Sequence, residues 1–201
     1  MKLVNTLCAG ALLLGLAGCS NNTTAAASSA AASNTADSSA SSTTVEEASY
    51  TETFDADKAD YKEETFHNMT YDMVKGWSPR KMSKDDGLTY LISGQKDSIE
   101  VHFVEGGNTV DDMKAFLGSD DMKEYCNSVT DSEEQEIAGL KGVHANTVTT
   151  IATTIMVDAN KEIYMVPAKD GFYFMSFTYD PTGTTDYSAA FEHIVNSIKI
   201  A

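Results

Sequence analysis

Short runs of alternating hydrophobic and polar residues fill most of the chain after Tyr50. From Ser98 to Val104, apolar Ile99, Val101 and Phe103 interleave with Glu100 and His102, the period of two expected of a strand with one buried and one wet face. Leu88 to Ser93 precedes this run across Gly94-Gln95-Lys96-Asp97, which predicts a hairpin. Upstream, Phe66, Met69, Tyr71 and Met73 predict a hairpin over Thr65 to Val74, with Asn68 in its turn, leading into Gly76-Trp77. The period changes at Thr109, which stands three residues before Asp112 as in a capping box. Met113, Phe116 and Leu117 then recur at helical spacing until Gly118 interrupts them. A second short helix is expected from about Asp120 to Cys126, with Met122 and Tyr125 as its apolar members. Asp131 to Glu136 reads as an acidic loop. Beyond it a three-strand meander is expected, roughly Val143 to Val157 with an internal bend, Glu162 to Val166 and Phe172 to Tyr179, with Asp170-Gly171 as its last turn. Phe172 and Phe174 point opposite to Tyr173, Met175 and Phe177, so the last strand needs cover on both faces and is central. Tyr187, Phe191, Ile194, Val195 and Ile198 form one apolar stripe of a closing helix that packs on the sheet. The order predicts an α+β fold, an antiparallel sheet of hairpins and a meander with helices packed on it.

The first 49 residues obey different rules. Met1 and Lys2 precede an apolar run from Leu7 to Leu16, the pattern of a signal-peptide core. Ten residues of helix span only about 15 Å, half of a bilayer's hydrocarbon thickness of roughly 30 Å, so the run is too short for a permanent transmembrane anchor. Leu16-Ala17-Gly18-Cys19 follows directly and resembles the lipobox of bacterial lipoproteins in all four positions. The resemblance implies cleavage between Gly18 and Cys19, a diacylglycerol on the Cys19 sulfur, and an anchor in the outer face of the cell membrane. Two acyl chains hold stably where one holds only marginally, so the anchor needs no contact between protein and lipid. From Ser20 to Ser49, 26 of 30 residues are Ser, Thr, Ala or Asn, which leaves too little apolar surface to offset the entropy of ordering. A flexible spacer with a reach of about 30 Å is expected. Such spacers look like those of Gram-positive surface lipoproteins. The organisation is then a signal peptide at 1–18, a lipidated cysteine and linker at 19–49, and one domain at 50–201.

Charge narrows the partners. Residues 50–201 carry 27 acidic and 13 basic side chains, a net charge of −14 within a chain total of −16. Phosphate backbones and anionic headgroups repel such a surface, which argues against nucleic acid and holds the domain off the bilayer. Cys8 leaves with the signal and Cys19 carries lipid, so Cys126 has no partner for an internal disulfide. The spacing of Tyr71-Asp72-Met73 before Gly76-Trp77, the Leu88 to Val104 hairpin, the Gly139 to Val148 strand and a closing Phe191 to Lys199 helix are together similar to the PsbP-like family. That family includes the extrinsic photosystem II subunit and many bacterial lipoproteins, and the resemblance covers nearly the whole domain.

No residue set announces a chemistry. None of His67, His102, His144 and His193 has a second histidine four residues on, so no zinc-protease pattern exists. Glu100 and His102 share a strand face and could meet a third metal ligand, although alternation alone demands polar residues there. Cys126 lacks a thiol-enzyme motif around it. Ser78-Pro79-Arg80-Lys81, expected in a loop after Trp77, and Ser93-Gly94-Gln95-Lys96, expected in a turn, match Ser-x-x-Lys without the companion motifs of penicillin-binding enzymes. The acidic sets Asp55, Asp57, Asp60 and Asp158, Asn160, Glu162 fail the EF-hand spacing, since Asp60 or Ile163 stands where glycine is needed. Trp77, Tyr164, Tyr173 and Tyr179 could line a groove or simply fill a core. No catalytic, cofactor or metal residues are therefore assigned. The expectation is a non-catalytic binding or assembly module for an envelope protein or small ligand. An envelope hydrolase is the alternative, and a transporter's two-lobed solute-binding component is disfavoured by size.

Overall fold

The computed structural model describes residues 48–81, 87–92, 94 and 96–201. The expected signal peptide, Gly18, Cys19 and the spacer up to residue 47 lie outside the described residues, as do Ser93 and Gln95 of the second Ser-x-x-Lys match.

In chain order the elements are β1 (Glu52–Thr53), a 3-10 turn (Ala56–Lys58), β2 (Tyr61–Phe66), β3 (Met69–Val74), β4 (Pro79–Lys81), β5 (Leu88–Leu91), β6 (Ser98–Glu105), α1 (Val110–Leu117) and α2 (Asp120–Tyr125). There follow β7 (Ser128–Ile137), β8 (Leu140–Ala152), β9 (Met156–Ala168), β10 (Gly171–Thr178), β11 (Thr185–Asp186), α3 (Ser188–Asn196) and β12 (Lys199–Ile200). Seven strands form one antiparallel sheet in the order β4-β5-β6-β10-β9-β8-β7. Helices α1 and α2 carry the chain from β6 to β7 at the far edge, and the meander returns until β10 pairs with β6. A second antiparallel sheet, β12-β3-β2, and a short parallel pair, β1-β11, complete the strands among the described residues.

The large sheet is the middle of three layers. On one face Met113, Phe116, Leu117 and Met122 of the first two helices cover Val143, Ile163, Met165, Phe172 and Phe174. On the other, the small sheet and α3 bring Met69, Tyr71, Met73, Phe191 and Ile194 against Ile99, Val101, Tyr173, Met175 and Phe177. All eight residues of β10 are buried, as its two-sided apolar pattern requires. The capping box of α1 forms, with Thr109 Oγ1 accepting from Asp112 N and the Asp112 carboxylate accepting from Thr109 N.

Four expectations need correction. Residues 131 to 136 are not a loop but the body of β7, paired along its length with β8. The run expected from Val143 to Val157 is two strands, because the chain turns between Ala152 and Met156 and β9 continues unbroken to Ala168. The closing helix stops at Asn196 rather than Lys199, where Ser197 Oγ donates to Ile194 O and accepts from Asp72 N. Ile198 enters the core, and Lys199–Ile200 then extends the small sheet beside Thr70 and Met69. Pro79–Lys81, expected in a loop, is a strand paired with Leu88–Tyr90.

Candidate functional site

Two glutamates on the strands that flank β10 look out from opposite faces of the large sheet, each at the centre of a polar cluster. On the α1/α2 face, Glu100 and His102 of β6 stand beside Ser176 and Phe174 of β10. Lys161, on β9, reaches in with its Nζ 3.2 Å from Glu100 Oε2 and 3.9 Å from the centre of the Tyr125 ring. Tyr125 Oη, at the end of α2, donates to Glu100 and lies 3.3 Å from both His102 Nε2 and Ser176 Oγ. Burial alone would raise the Glu100 pKa, but the Lys161 charge and the donors from Tyr125 and Lys161 reverse it and hold the carboxyl below its ordinary range. Burial and the adjacent Glu100 charge push the Tyr125 phenol far up, so it remains a neutral donor. Burial raises the Cys126 thiol as well, which leaves it poorly nucleophilic. Lys161 is 7% exposed and Ser176 is fully buried, so the face expected to be wet is closed by α2.

On the α3 face, Glu162 of β9 accepts from Tyr164 Oη at 2.7 Å and from Tyr179 Oη at 3.1 Å. His144 of β8 sits opposite Tyr164, its ring stacked on the phenol at 4.5 Å. Its Nε2 is buried without a hydrogen-bond partner, 3.6 Å from Glu162 Oε2, and its Nδ1 is 3.6 Å from Glu133 Oε1 on β7. These separations are ion-pair contacts just beyond hydrogen-bonding reach. Proximity to Glu162, only partly offset by burial, raises the His144 pKa, with Glu133 adding to it. Conversely His144, and then the Tyr164 and Tyr179 hydroxyls, hold Glu162 below its ordinary range against the cost of burial.

Glu162 lies at the junction of two open grooves. A volume of about 450 Å³ is lined by Tyr50, Thr130, Asn146, Asn160, Asp186 and Ser188 among others. It meets a smaller one of about 270 Å³ lined by Gln135, Tyr164, Glu192 and Asn196, and both share Glu162, Tyr179 and Ser188. The acidic side chains here are Glu162, Asp186 and Glu192. Lys161 also borders the larger groove, but its ammonium is engaged by Glu100. Burial and the charges of Asp97, Asp186 and Asp180 push the Tyr50 phenol up to about 12, consistent with a negative local potential.

The sequence's candidates are dispersed among these features. Glu100 and His102 do converge, but on Tyr125, Ser176 and Lys161 rather than on a third metal ligand. No group of three His, Cys, Asp or Glu side chains suited to a metal occurs among the described residues. Of the four aromatics considered together, Tyr164 and Tyr179 meet at Glu162. Trp77 packs on Phe54, Tyr187 and Phe191, while Tyr173 Oη accepts from Asn68 N and its ring packs on Phe103. Asp55 caps the 3-10 turn and pairs with Lys58, and Asp158 accepts from Thr150 Oγ1, while Asn160 and Glu162 of the second acidic set line the larger groove. His193 stacks on Tyr61 at the surface. Sequence reasoning missed His144 and the role of Lys161. The only signal was period two, which puts His144 and Asn146 on one face of their strand and Lys161 opposite Glu162 in parity.

No protein-family model and no curated protein matches the chain. Solved structures similar to it include a protein from Bacteroides thetaiotaomicron, with 9% identity, a TM-score of 0.48 and 71% of this chain covered. The chain spans about half of that protein, 48% of its length. Another is the cyanobacterial PsbP, CyanoP, from Synechocystis, with 11% identity, a TM-score of 0.45, and 71% of this chain and 92% of that chain covered.

Proposed function

We propose that this chain is a membrane-anchored extracytoplasmic lipoprotein whose PsbP-like domain is a binding module, and that the groove at Glu162 receives a positively charged group from a small ligand or partner protein. The observation that carries the binding reading is the carboxylate of Glu162, which lines both grooves. His144 and then two phenol hydroxyls keep it ionised, and the phenols orient it without bringing positive charge of their own. Aromatic rings beside a fixed carboxylate suit an ammonium or guanidinium, which gains from both the charge and the ring faces. The polar, open lining formed by Asn146, Asn160 and Ser188 suits reversible binding rather than a sealed reaction chamber. The anchor rests on Leu16-Ala17-Gly18-Cys19 and the spacer after it.

Two experiments test the two halves. Replacement Cys19→Ala is expected to release protein into the medium or to leave unprocessed precursor, and processed protein retained at the membrane would refute the anchor. Titration of the full chain with lysine amide should move the backbone resonances of Asn146, Asn160 and Tyr179 saturably, with affinity falling as salt rises. Shifts absent from these residues would refute the groove.

A further inference from the structure

We propose that the outer edge of β7 is a docking strand onto which an extended, lysine- or arginine-rich segment of a partner protein adds as an eighth strand. This goes beyond the groove reading and does not depend on what fills the groove.

The two ends of the large sheet are built differently. At one end β4 is three residues long and contains Pro79 and Arg80, so it is short, lacks one backbone donor and carries a cation, three devices that blunt an edge. At the other, β7 runs for ten residues, Ser-Val-Thr-Asp-Ser-Glu-Glu-Gln-Glu-Ile, with no proline, lysine or arginine. It pairs with β8 on one side, and no described strand pairs with the other. Nine of its residues are exposed or half-exposed, and only Ile137 is buried. Its one irregularity is a bulge between Val129 and Asp131, where Thr130 Oγ1 donates to Asn146 O. Beyond the bulge the pairing is regular from Asp131 to Ile137, long enough to template another strand.

Charge decides which strand can use that template. An antiparallel second copy opposes residues of the same sheet face, so a register centred on Glu133 sets Glu133 against itself, one centred on Glu134 sets Glu134 against itself, and one centred on Gln135 sets Glu134 against Glu136. Like charges directly opposed destabilise cross-strand pairs, so the edge rejects itself. A basic segment reverses the sign at each of those positions. Main-chain hydrogen bonds then supply affinity and the alternating side chains supply specificity, the mode by which extended peptides augment sheets. Thr130 and Gln135 line the two grooves around Glu162, so side chains of an added strand that point to the α3 face would lie next to that site.

The test uses an eight-residue alternating Lys-Thr peptide and the same peptide N-methylated at every second residue, which keeps the charge but removes backbone donors along one edge. The ¹⁵N-labelled full chain is titrated with each. The expected result is shift changes and slowed amide exchange across residues 131 to 137, with the N-methylated peptide at least tenfold weaker. In addition, the double variant Asp131→Lys/Glu136→Lys, checked for folding by its thermal melt, should lose at least tenfold in affinity for the Lys-Thr peptide and gain a Glu-Thr one. Equal binding of both peptides would overturn strand addition in favour of charge alone. Shifts confined to the groove would overturn it while leaving the Glu162 site intact, and no binding at low salt would also overturn it. Lysine amide, which has no strand to add, reports separately on the groove.

Discussion

Glu100 and Glu162 occupy opposite faces of the same sheet, and both are held ionised, but by different means. At Glu100 the principal partner is an ammonium: Lys161 cancels the charge, and with Tyr125 and Ser176 it closes the cluster beneath α2. At Glu162 the direct hydrogen-bond partners are neutral phenols, which stabilise the anion while leaving its charge to be felt in the groove. A buried carboxylate therefore becomes structural or available according to whether its donors bring charge of their own. His144 grades the second case, since its imidazolium offsets Glu162 only while protonated.

This contrast is broken most severely by Lys161→Met. Removing one partner of a buried ion pair strands the other, so about 3 to 5 kcal/mol should be lost in urea denaturation. The double variant Lys161→Met/Glu100→Leu should recover most of that, because an apolar pair of similar volume replaces the ions. Next in size is Tyr125→Phe, which deletes a hydroxyl donor to a charged acceptor and should cost about 1.5 to 3 kcal/mol in the same assay. Tyr164→Phe should cost less, since Glu162 is 31% exposed and water can replace the donor.

The pH profile sharpens the comparison further. His144 has a raised pKa, so its contribution to stability is complete below its ordinary value of 6.5 and is lost as pH rises through the higher folded value. Glu162 has a lowered pKa, so its contribution is complete above its ordinary 4.5 and is lost as pH falls through the folded value. The pair therefore stabilises most between about 4.5 and 6.5. Thermal melts of His144→Gln should lose the decline above that window and show a weakened acid one, since Tyr164 and Tyr179 still hold Glu162. A variant with an unchanged alkaline decline would assign the titration elsewhere.

What was legible in the sequence followed from strong periodicity. Ile99, Val101 and Phe103 placed β6, and the apolar residues on both faces of Phe172 to Phe177 placed β10 at the centre. Thr109 and Asp112 placed the start of α1. The acidic strand was illegible because Asp131, Glu133, Glu134 and Glu136 leave no hydrophobic face to alternate. Its hairpin turn is Ala138-Gly139, with φ of 55° and 74°, and alanine gives no hint of the positive φ that a two-residue turn needs. The same strand kept its neighbours hidden, since His144 gains meaning only once Glu133 is paired opposite it. At Glu100 the alternation was correct but its consequence was reversed. A polar residue on an alternating strand reads as wet, and only the tertiary placement of Tyr125 and Lys161 shows the face to be covered. The residues lining the grooves come from β7, β8, β9, β11, α3 and the segments around Tyr50 and Tyr179, so no contiguous motif could announce them.

We propose that the Glu162 carboxylate, hydrogen-bonded by neutral phenols and offset by His144 only while that imidazole is protonated, makes the groove a receptor for cations. It is tested most directly by calorimetric titration of lysine amide into the full chain and its Glu162→Gln variant at pH 7.5 and low salt. The account predicts saturable binding to the natural chain, at least tenfold weaker in the variant, with both proteins melting within a few degrees of each other. Equal affinity in the two proteins would contradict it.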